Sequence, residues 1–178
     1  MSRLLPRTLR LDPSDTVIFE HPAAAGEWAV PGGFAFWDEA PEALAGKRRQ
    51  AFRGGFLGLD SFGWSTLVEV AAVPDAAWDA ALARLAGHIR AHHGAPDDAA
   101  AEAAAREELA FAESLCDHPP GTVLALSRSI EAGAVHERFR TLHRREAPHA
   151  NFATLPVFSL VEDEAVEHPD LTTLGKSP

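Results

Sequence analysis

The chain of 178 residues carries a formal net charge of −10 and a single cysteine. Its length predicts one domain with a substantial core, and a lone cysteine excludes an internal disulfide. The negative charge disfavours general nucleic-acid binding, which depends on neutralising phosphates, and no apolar run approaches the roughly 20 residues of a membrane-spanning helix. We therefore expect a cytoplasmic protein with no nucleic-acid or membrane partner.

The first third of the chain is rich in predicted strands. Thr16–Glu20 predicts a short strand, and Glu27–Trp37 predicts two extended pieces around a Pro-Gly-Gly turn. Pro41–Arg53 is typical of a short helix, because its apolar residues fall on one face. Trp64–Val73 then predicts a well-buried strand, since it is rich in β-branched and apolar residues.

Two consecutive helices are predicted in the middle of the chain. In Asp75–His93, apolar residues repeat at helical spacing, and a second helix follows from about Pro96 to Cys116. The apolar face of the first helix consists of Trp78, Leu82, Leu85 and Ile89. Because the connection between the helices is short, we expect them to form an antiparallel pair.

Three strands are predicted after the helices. Thr122–Ile130 and Val135–His143 predict a hairpin around a Glu-Ala-Gly turn, and Leu155–Val161 predicts a last strand. The order of elements predicts an α+β fold, a mostly antiparallel sheet with an antiparallel helix pair packed on one face. We expect residues 1–161 to form a single domain and residues 162–178 to form an acidic, flexible C-terminal tail.

The stretch SLCDHPPGT holds the cysteine beside two other potential metal ligands. Cys116, Asp117 and His118 could bind a metal ion, although three consecutive residues do not converge readily on one point. A structural interpretation competes with this one. The negative end of a helix disfavours a thiolate, so Cys116 would pack inward as a small hydrophobe while His118 meets the last carbonyls. A nucleophilic cysteine is disfavoured for the same reason.

A histidine pair lies near the end of the first long helix. His88 and His92 are four residues apart on one helix face, a spacing that can hold a metal ion when a third ligand arrives from elsewhere. The stretch reads HIRAH and therefore lacks the HExxH pattern. Histidines near a helix C-terminus, His93 included, are also favoured there by the helix dipole alone.

Five residues form the predicted ligand-binding set. Aromatic side chains commonly line pockets, and the forked guanidinium suits a carboxylate or phosphate. The set comprises Trp37, Phe62, Trp64, Arg138 and Arg140. The alternative interpretation makes the aromatic residues part of the core and the arginines part of a solvated surface.

Three stretches carry a resemblance to a known family: EWAVPGGFAFWDEAP, FLGLDSFGWSTLVEV and SLCDHPPGTVLALSR. Together they resemble a family of uncharacterised proteobacterial proteins carried as a domain of unknown function, over most of the chain. The resemblance implies no activity and no catalytic residues. The resemblance associates the chain with gene neighbourhoods that contain metalloenzyme-maturation and biotin/lipoate-ligase-like proteins, which implies an accessory role.

Three hypotheses of function follow. The first is an accessory or binding protein that contacts a protein partner or a small anionic ligand, because no complete catalytic motif is recognisable. The second is a small metal-binding protein or metal-dependent enzyme that uses Cys116, Asp117 and His118. The third is a self-associating subunit, since the aromatic segment Glu27–Trp37 is typical of interfaces.

Overall fold

Two antiparallel sheets and a pair of packed helices make up the part of the chain that the computed structural model describes, residues 2–144 and 158–162, with side chains as far as residue 142. The strands are β1 Arg3–Leu9, β2 Ala29–Val30, β3 Phe56–Gly58, β4 Trp64–Ser65, β5 Leu67–Val73, β6 Val123–Glu131, β7 Ala134–Arg144 and β8 Phe158–Glu162. The helices are α1 Ser14–Ile18, α2 Gly46–Gly54, α3 Asp75–His92 and α4 Asp98–Ser114, with 3-10 turns at Gly33–Phe36 and Pro41–Ala43.

The larger sheet has the strand order β1-β5-β6-β7-β8, and every neighbouring pair is antiparallel. Its longest pairing is the β6–β7 hairpin, which runs from Val123 opposite Leu142 to Glu131 opposite Ala134. The predicted α+β class and the predicted hairpin are confirmed. Part of the last predicted strand is present as β8, while residues 155–157 of that prediction lie outside the described residues.

The helix pair is confirmed with small changes at its ends. Asp97 caps α4 by accepting a hydrogen bond from the Ala100 amide at 2.7 Å, so the helix begins after the cap and not at Pro96. α3 packs against α4, and the buried face of α4 combines alanines with Leu109 and Glu108. Ala101, Ala105 and Ala112 are almost fully buried there. Small side chains let the two backbones approach closely.

Near the start of the chain, one predicted strand was wrong and one strand was missed. Ser14–Ile18 is a short helix where a strand was predicted from Thr16, because the buried carboxylate of Asp15 accepts hydrogen bonds from Thr66 and holds this turn against the sheet. β1 was not predicted at all. Pro6 makes this segment look unlike a strand. Proline is nevertheless tolerated on an edge strand, where its missing N–H removes no hydrogen bond between strands.

The segment around the Pro-Gly-Gly turn is extended only before the turn. β2 ends at Val30, and the second predicted extended piece is instead the 3-10 turn Gly33–Phe36. Gly32 adopts a φ of 77°, and a Cβ there would lie 2.6 Å from the Cβ of Leu57. Because of this sharp turn, the side chains of Phe34 and Phe36 are buried in the core.

A buried ion pair lies within the hairpin, and its arginine also bonds to the aromatic segment and to the end of α2. The Arg128 Nε lies 2.7 Å from Glu137 Oε1, and the two side chains are 0% and 3% exposed. Arg128 also donates to the carbonyls of Pro31, Phe52 and Gly55. One side chain therefore fastens β6 both to the end of α2 and to the Pro-Gly-Gly turn.

None of the helices in residues 2–144 is both long enough and apolar enough to span a bilayer. The single domain 1–161 and the acidic tail 162–178 stay predictions, because residues 163–178 lie outside the described part of the chain.

Candidate functional site

The predicted aromatic ligand residues occupy two environments. Trp64 is 5% exposed in β4, and its ring stacks on Phe36 with centroids 5.1 Å apart. Trp37 and Phe62 are half-buried and pack on the rim of the same core cluster. Trp64 is therefore a core residue, while Trp37 and Phe62 remain partly accessible.

The two arginines of the predicted set are not brought to these aromatic residues. In β7, Glu137 and Phe139 face the interior, so the alternating residues Arg138 and Arg140 lie on the opposite face of the sheet. Arg138 is exposed and lies 3.6 Å from Glu131. A single pocket that uses all five residues is therefore incompatible with this sheet.

Cys116 lies where the structural interpretation places it. The thiol is 2% exposed in a cluster of apolar side chains, and burial together with Glu113 raises the pKa of Cys116 to about 12. Asp117 is exposed and His118 is half-buried. Metal ligation by these three residues stays a prediction. Within the described side chains, no group of three or more His, Cys, Asp or Glu residues is arranged to hold a metal ion.

A cluster of histidine and aromatic side chains lies instead at the end of α3, and we call it the imidazole surface. It consists of Phe34, Trp37, Phe62, His88, His92 and His93. His88 lies flat on Phe62, with ring centroids 3.8 Å apart and an interplanar angle of 4°. The Nε2 atoms of His88 and His93 are 3.3 Å apart.

Further ring contacts extend this surface on both sides. The His92 ring centroid lies 4.9 Å from that of His88. His93 meets Phe34 edge-on at 5.0 Å, and Phe34 meets Trp37 edge-on at 6.2 Å. Two of the predicted ligand residues, Trp37 and Phe62, thus lie at the two ends of a continuous row of rings.

Helix geometry explains how three histidines come together. His88 and His92 share a face of α3 because they are one turn apart. His93 follows the last helical residue and has a φ of −124°, so its side chain leaves the helical direction. This departure lets it approach His88 instead of pointing away from it.

The buried carboxylate of Glu27 holds the loop that carries Phe62. Glu27 Oε1 accepts from the amides of Asp60 and Ser61 at 2.9 and 2.5 Å, and Oε2 accepts from the Ser61 hydroxyl at 2.8 Å. Oε2 also accepts from the Ala24 amide at 2.6 Å. Asp60 in turn pairs with Arg84 of α3. The loop is therefore tied both to the chain before β2 and to the helix that bears the histidines.

Phe62 itself adopts a left-handed backbone conformation with a φ of 52°. For a residue other than glycine, this conformation costs about 1–2 kcal/mol. Gly63 follows it, and a Cβ at Gly63 would lie 2.7 Å from the carbonyl oxygen of His21. The bonds to Glu27 and the close packing at Gly63 together hold Phe62 in this conformation.

Two imidazoles of this surface, those of His88 and His93, are poorly basic. Burial, reinforced by repulsion from His93 and His92, lowers the pKa of His88 to about 4. Burial also lowers the pKa of His93, with His92 acting in the same direction and Asp38 opposing it. At neutral pH both rings are therefore uncharged, and each carries a nitrogen lone pair.

A small pocket lies beside the aromatic segment. It has a cavity volume of about 30 Å³, room for about two water molecules, and is lined by Glu20, His21, Lys47, Arg48, Ala51 and Trp64. Arg48 is already paired with Glu39 and lies 4.3 Å above the Phe36 ring. The pocket is too small for an organic ligand.

Sequence reasoning found part of the imidazole surface and missed its support. The spacing of His88 and His92 and the aromatic character of Phe62 were recognisable signals. The sequence did not indicate that the loop 59–63 contacts α3, or that Glu27 holds this loop in place. A glutamate with four hydrogen bonds to residues up to 34 positions away gives no local pattern.

Comparison with known family models matches residues 2–158 to a family of unknown function, DUF6505. The match covers most of the chain, including the loop 59–63 and the three histidines. The same comparisons found no matching curated protein and no matching solved structure.

Proposed function

Because the chain belongs to this family of unknown function, we propose from the site alone that it is an accessory binding protein, with the imidazole surface as its ligand-binding surface. The proposal narrows the expectation of a binding protein to one region, the end of α3 and the loop 59–63. Service to a particular metalloenzyme or cofactor-maturation system stays a prediction.

The observation that carries the proposal is the strained placement of Phe62. Backbone strain persists where surrounding structure holds it, and it is concentrated at ligand-binding and active sites. Here the strained backbone, the bonds to Glu27 and the Asp60–Arg84 ion pair together hold the half-exposed ring of Phe62 against His88. A phenylalanine that only filled the core would not require a strained backbone at the surface.

The local charges favour a ligand that accepts electron pairs over a simple anion. The nearby arginines are already engaged, Arg84 by Asp60 and Arg48 by Glu39. The uncharged imidazoles of His88 and His93 offer lone pairs and little positive charge. A small anion, part of the original expectation, would find weak attraction at this surface.

We expect ligand binding to alter the imidazole surface and little else. The amide spectrum of the full chain, recorded by NMR, is titrated separately with zinc chloride, nickel chloride, sodium phosphate and sodium citrate. At least one of these probes is expected to shift amides of residues 59–63 and 88–94 saturably. Phe62→Ala should weaken that binding at least about tenfold, because the packing that orients His88 is lost.

Phe111→Ala is the matched control, since Phe111 is a half-buried phenylalanine that packs in the other core cluster. It should leave the affinity unchanged. If none of the four probes shifts the imidazole surface, or if Phe62→Ala and Phe111→Ala weaken binding equally, the proposed function is wrong.

The other hypotheses lack a specific supporting observation. A metal site at Cys116, Asp117 and His118 would need a buried thiol to lose its proton. Self-association through the segment Glu27–Trp37 stays a prediction as well, and the two tryptophans of that segment, Trp28 and Trp37, are half-buried.

A further inference from the structure

We propose that the Nε2 atoms of His88 and His93 bind one divalent transition-metal ion of the zinc, nickel or copper class, with His92 as a third ligand. The inference rests on the proposed function, because it names the ligand of the same surface. It differs from the site predicted at Cys116, which lies beyond the end of α4.

The distance between the two nitrogen atoms is the first argument. Zinc binds imidazole nitrogen at about 2.0–2.1 Å with tetrahedral geometry, which places two ligating nitrogens about 3.3–3.4 Å apart. The observed separation of His88 Nε2 and His93 Nε2 is 3.3 Å. Hydrogen bonds donated by nitrogen cluster near about 2.9–3.0 Å, so the pair is long for a direct hydrogen bond and suits a shared ion.

The position of His92 is the second argument. Histidines at i and i+4 on one helix can bind the same ion, and His92 is the i+4 neighbour of His88. No third ligand is already in place among the described side chains. His92 is exposed, however, and its ring lies 4.9 Å from that of His88, so rotation of its side chain completes the set.

The surroundings hold the first two ligands while leaving the ion accessible. Phe62 packs on one face of His88, and Phe34 packs edge-on against His93. Imidazole suits zinc, copper and nickel, while calcium and magnesium prefer oxygen ligands. Three imidazoles would leave at least one coordination position open to water or to a ligand from a partner, as an accessory protein requires.

The test uses the untagged full chain, stripped of metal with a chelator. Titration calorimetry with zinc chloride should give one equivalent bound, and cobalt chloride should give the absorption bands of tetrahedral Co²⁺. His88→Gln and His93→Gln should each weaken binding at least about tenfold. His136→Gln, a half-buried histidine on β7, should leave it unchanged. Less than a tenth of an equivalent of bound zinc would overturn the inference.

A measurement on the unaltered chain guards against variants that fail to fold. In long-range proton–nitrogen NMR spectra, zinc should shift the Nε2 resonances of His88 and His93 and leave their Nδ1 atoms protonated. Unshifted Nε2 resonances in the presence of bound zinc would overturn the inference. Loss of zinc binding in Cys116→Ser, with His88→Gln unaffected, would do the same and would favour the other predicted metal site.

Failure of the metal site is distinguishable from failure of the proposed function. If phosphate or citrate shifts residues 59–63 and 88–94 while zinc and nickel do not, the binding surface stands and the metal inference is wrong. If no probe shifts these residues, both are wrong. Binding of zinc that depends on His88 and His93 supports both.

Discussion

At the scale of single residues, the imidazole surface depends on a side chain that never reaches it. Glu27 is 4% exposed, and its two oxygens accept three hydrogen bonds from Asp60 and Ser61 in the loop 59–63 and a fourth from the Ala24 amide. A buried carboxylate satisfied in this way contributes more than an exposed ion pair, because each donor would otherwise be left unpaired.

Glu27→Gln is therefore expected to lower the free energy of unfolding by about 1–3 kcal/mol. The amide NH₂ would face backbone N–H groups that now donate to an oxygen. Urea unfolding measures the loss, and nuclear Overhauser effects between Phe62 and His88 should weaken in parallel. Glu42→Gln is the control, since Glu42 is exposed. Equal effects of the two substitutions would contradict the anchoring role.

The low basicity of His88 predicts a pH dependence of stability. Its pKa falls from the usual 6.5 to about 4 in the folded chain, so between those values the unfolded chain binds a proton that the native chain does not. Stability should therefore decrease as the pH falls from 6.5 to 4, and this contribution should not change further below 4.

Proton NMR of the His88 ring, recorded without metal, should show a midpoint near 4. His88→Gln should reduce the loss of stability between pH 6.5 and 4, whereas His136→Gln should preserve it. A His88 midpoint at 6.5 would show that the ring is not desolvated as the structure describes.

At the scale of elements, a buried charge adds to the backbone pairing with β5 in attaching the β6–β7 hairpin to the rest of the fold. Arg128 lies on the inward face of β6. Besides its bond to Glu137, it donates to the carbonyls of Pro31, Phe52 and Gly55. A strand face that carries a buried ion pair cannot be recognised from hydrophobic alternation, which explains why the sequence drew attention to Arg138 and Arg140 instead.

Arg128→Met should destabilise the protein by about 3–5 kcal/mol, because it leaves the carboxylate of Glu137 buried without a counter-charge. Urea unfolding measures the change. Replacing Glu137 with Leu in the same chain should recover part of the loss. Arg138→Met, on the opposite and exposed face, should change stability by no more than about 0.5 kcal/mol. A loss below about 1 kcal/mol for Arg128→Met would contradict this role.

At the scale of the whole molecule, the elements that could be predicted from the sequence were those with a strong local period. α3 repeats its apolar residues every three or four positions, and β6 and β7 flank a turn with Ala132 and Gly133 at positive φ. β1 and α1 were missed because pairing with β5 and the Asp15–Thr66 bonds decide them. These contacts join residues more than 50 positions apart.

The candidate site likewise has a part that could be predicted from the sequence and a part that could not. Phe62, Trp37 and the histidine pair could be identified by residue type and spacing, and Arg138 and Arg140 were separated from them by the strand's period of two. The meeting of the loop 59–63 with α3 depends on Glu27, Gly63 and the Asp60–Arg84 pair acting together. This contact arises only in the folded chain, and no single segment of the sequence indicates it.

The anchored loop also determines the thermodynamics of association. Because the bonds to Glu27 already hold the backbone around Phe62, we expect the loop 59–63 to lose little conformational entropy when a ligand binds at the end of α3. Association should then be fast and close to rigid-body, with the free and occupied loops superimposing within about 1 Å. Selectivity would come from the shape and coordination preference of the ligand and not from a closing lid.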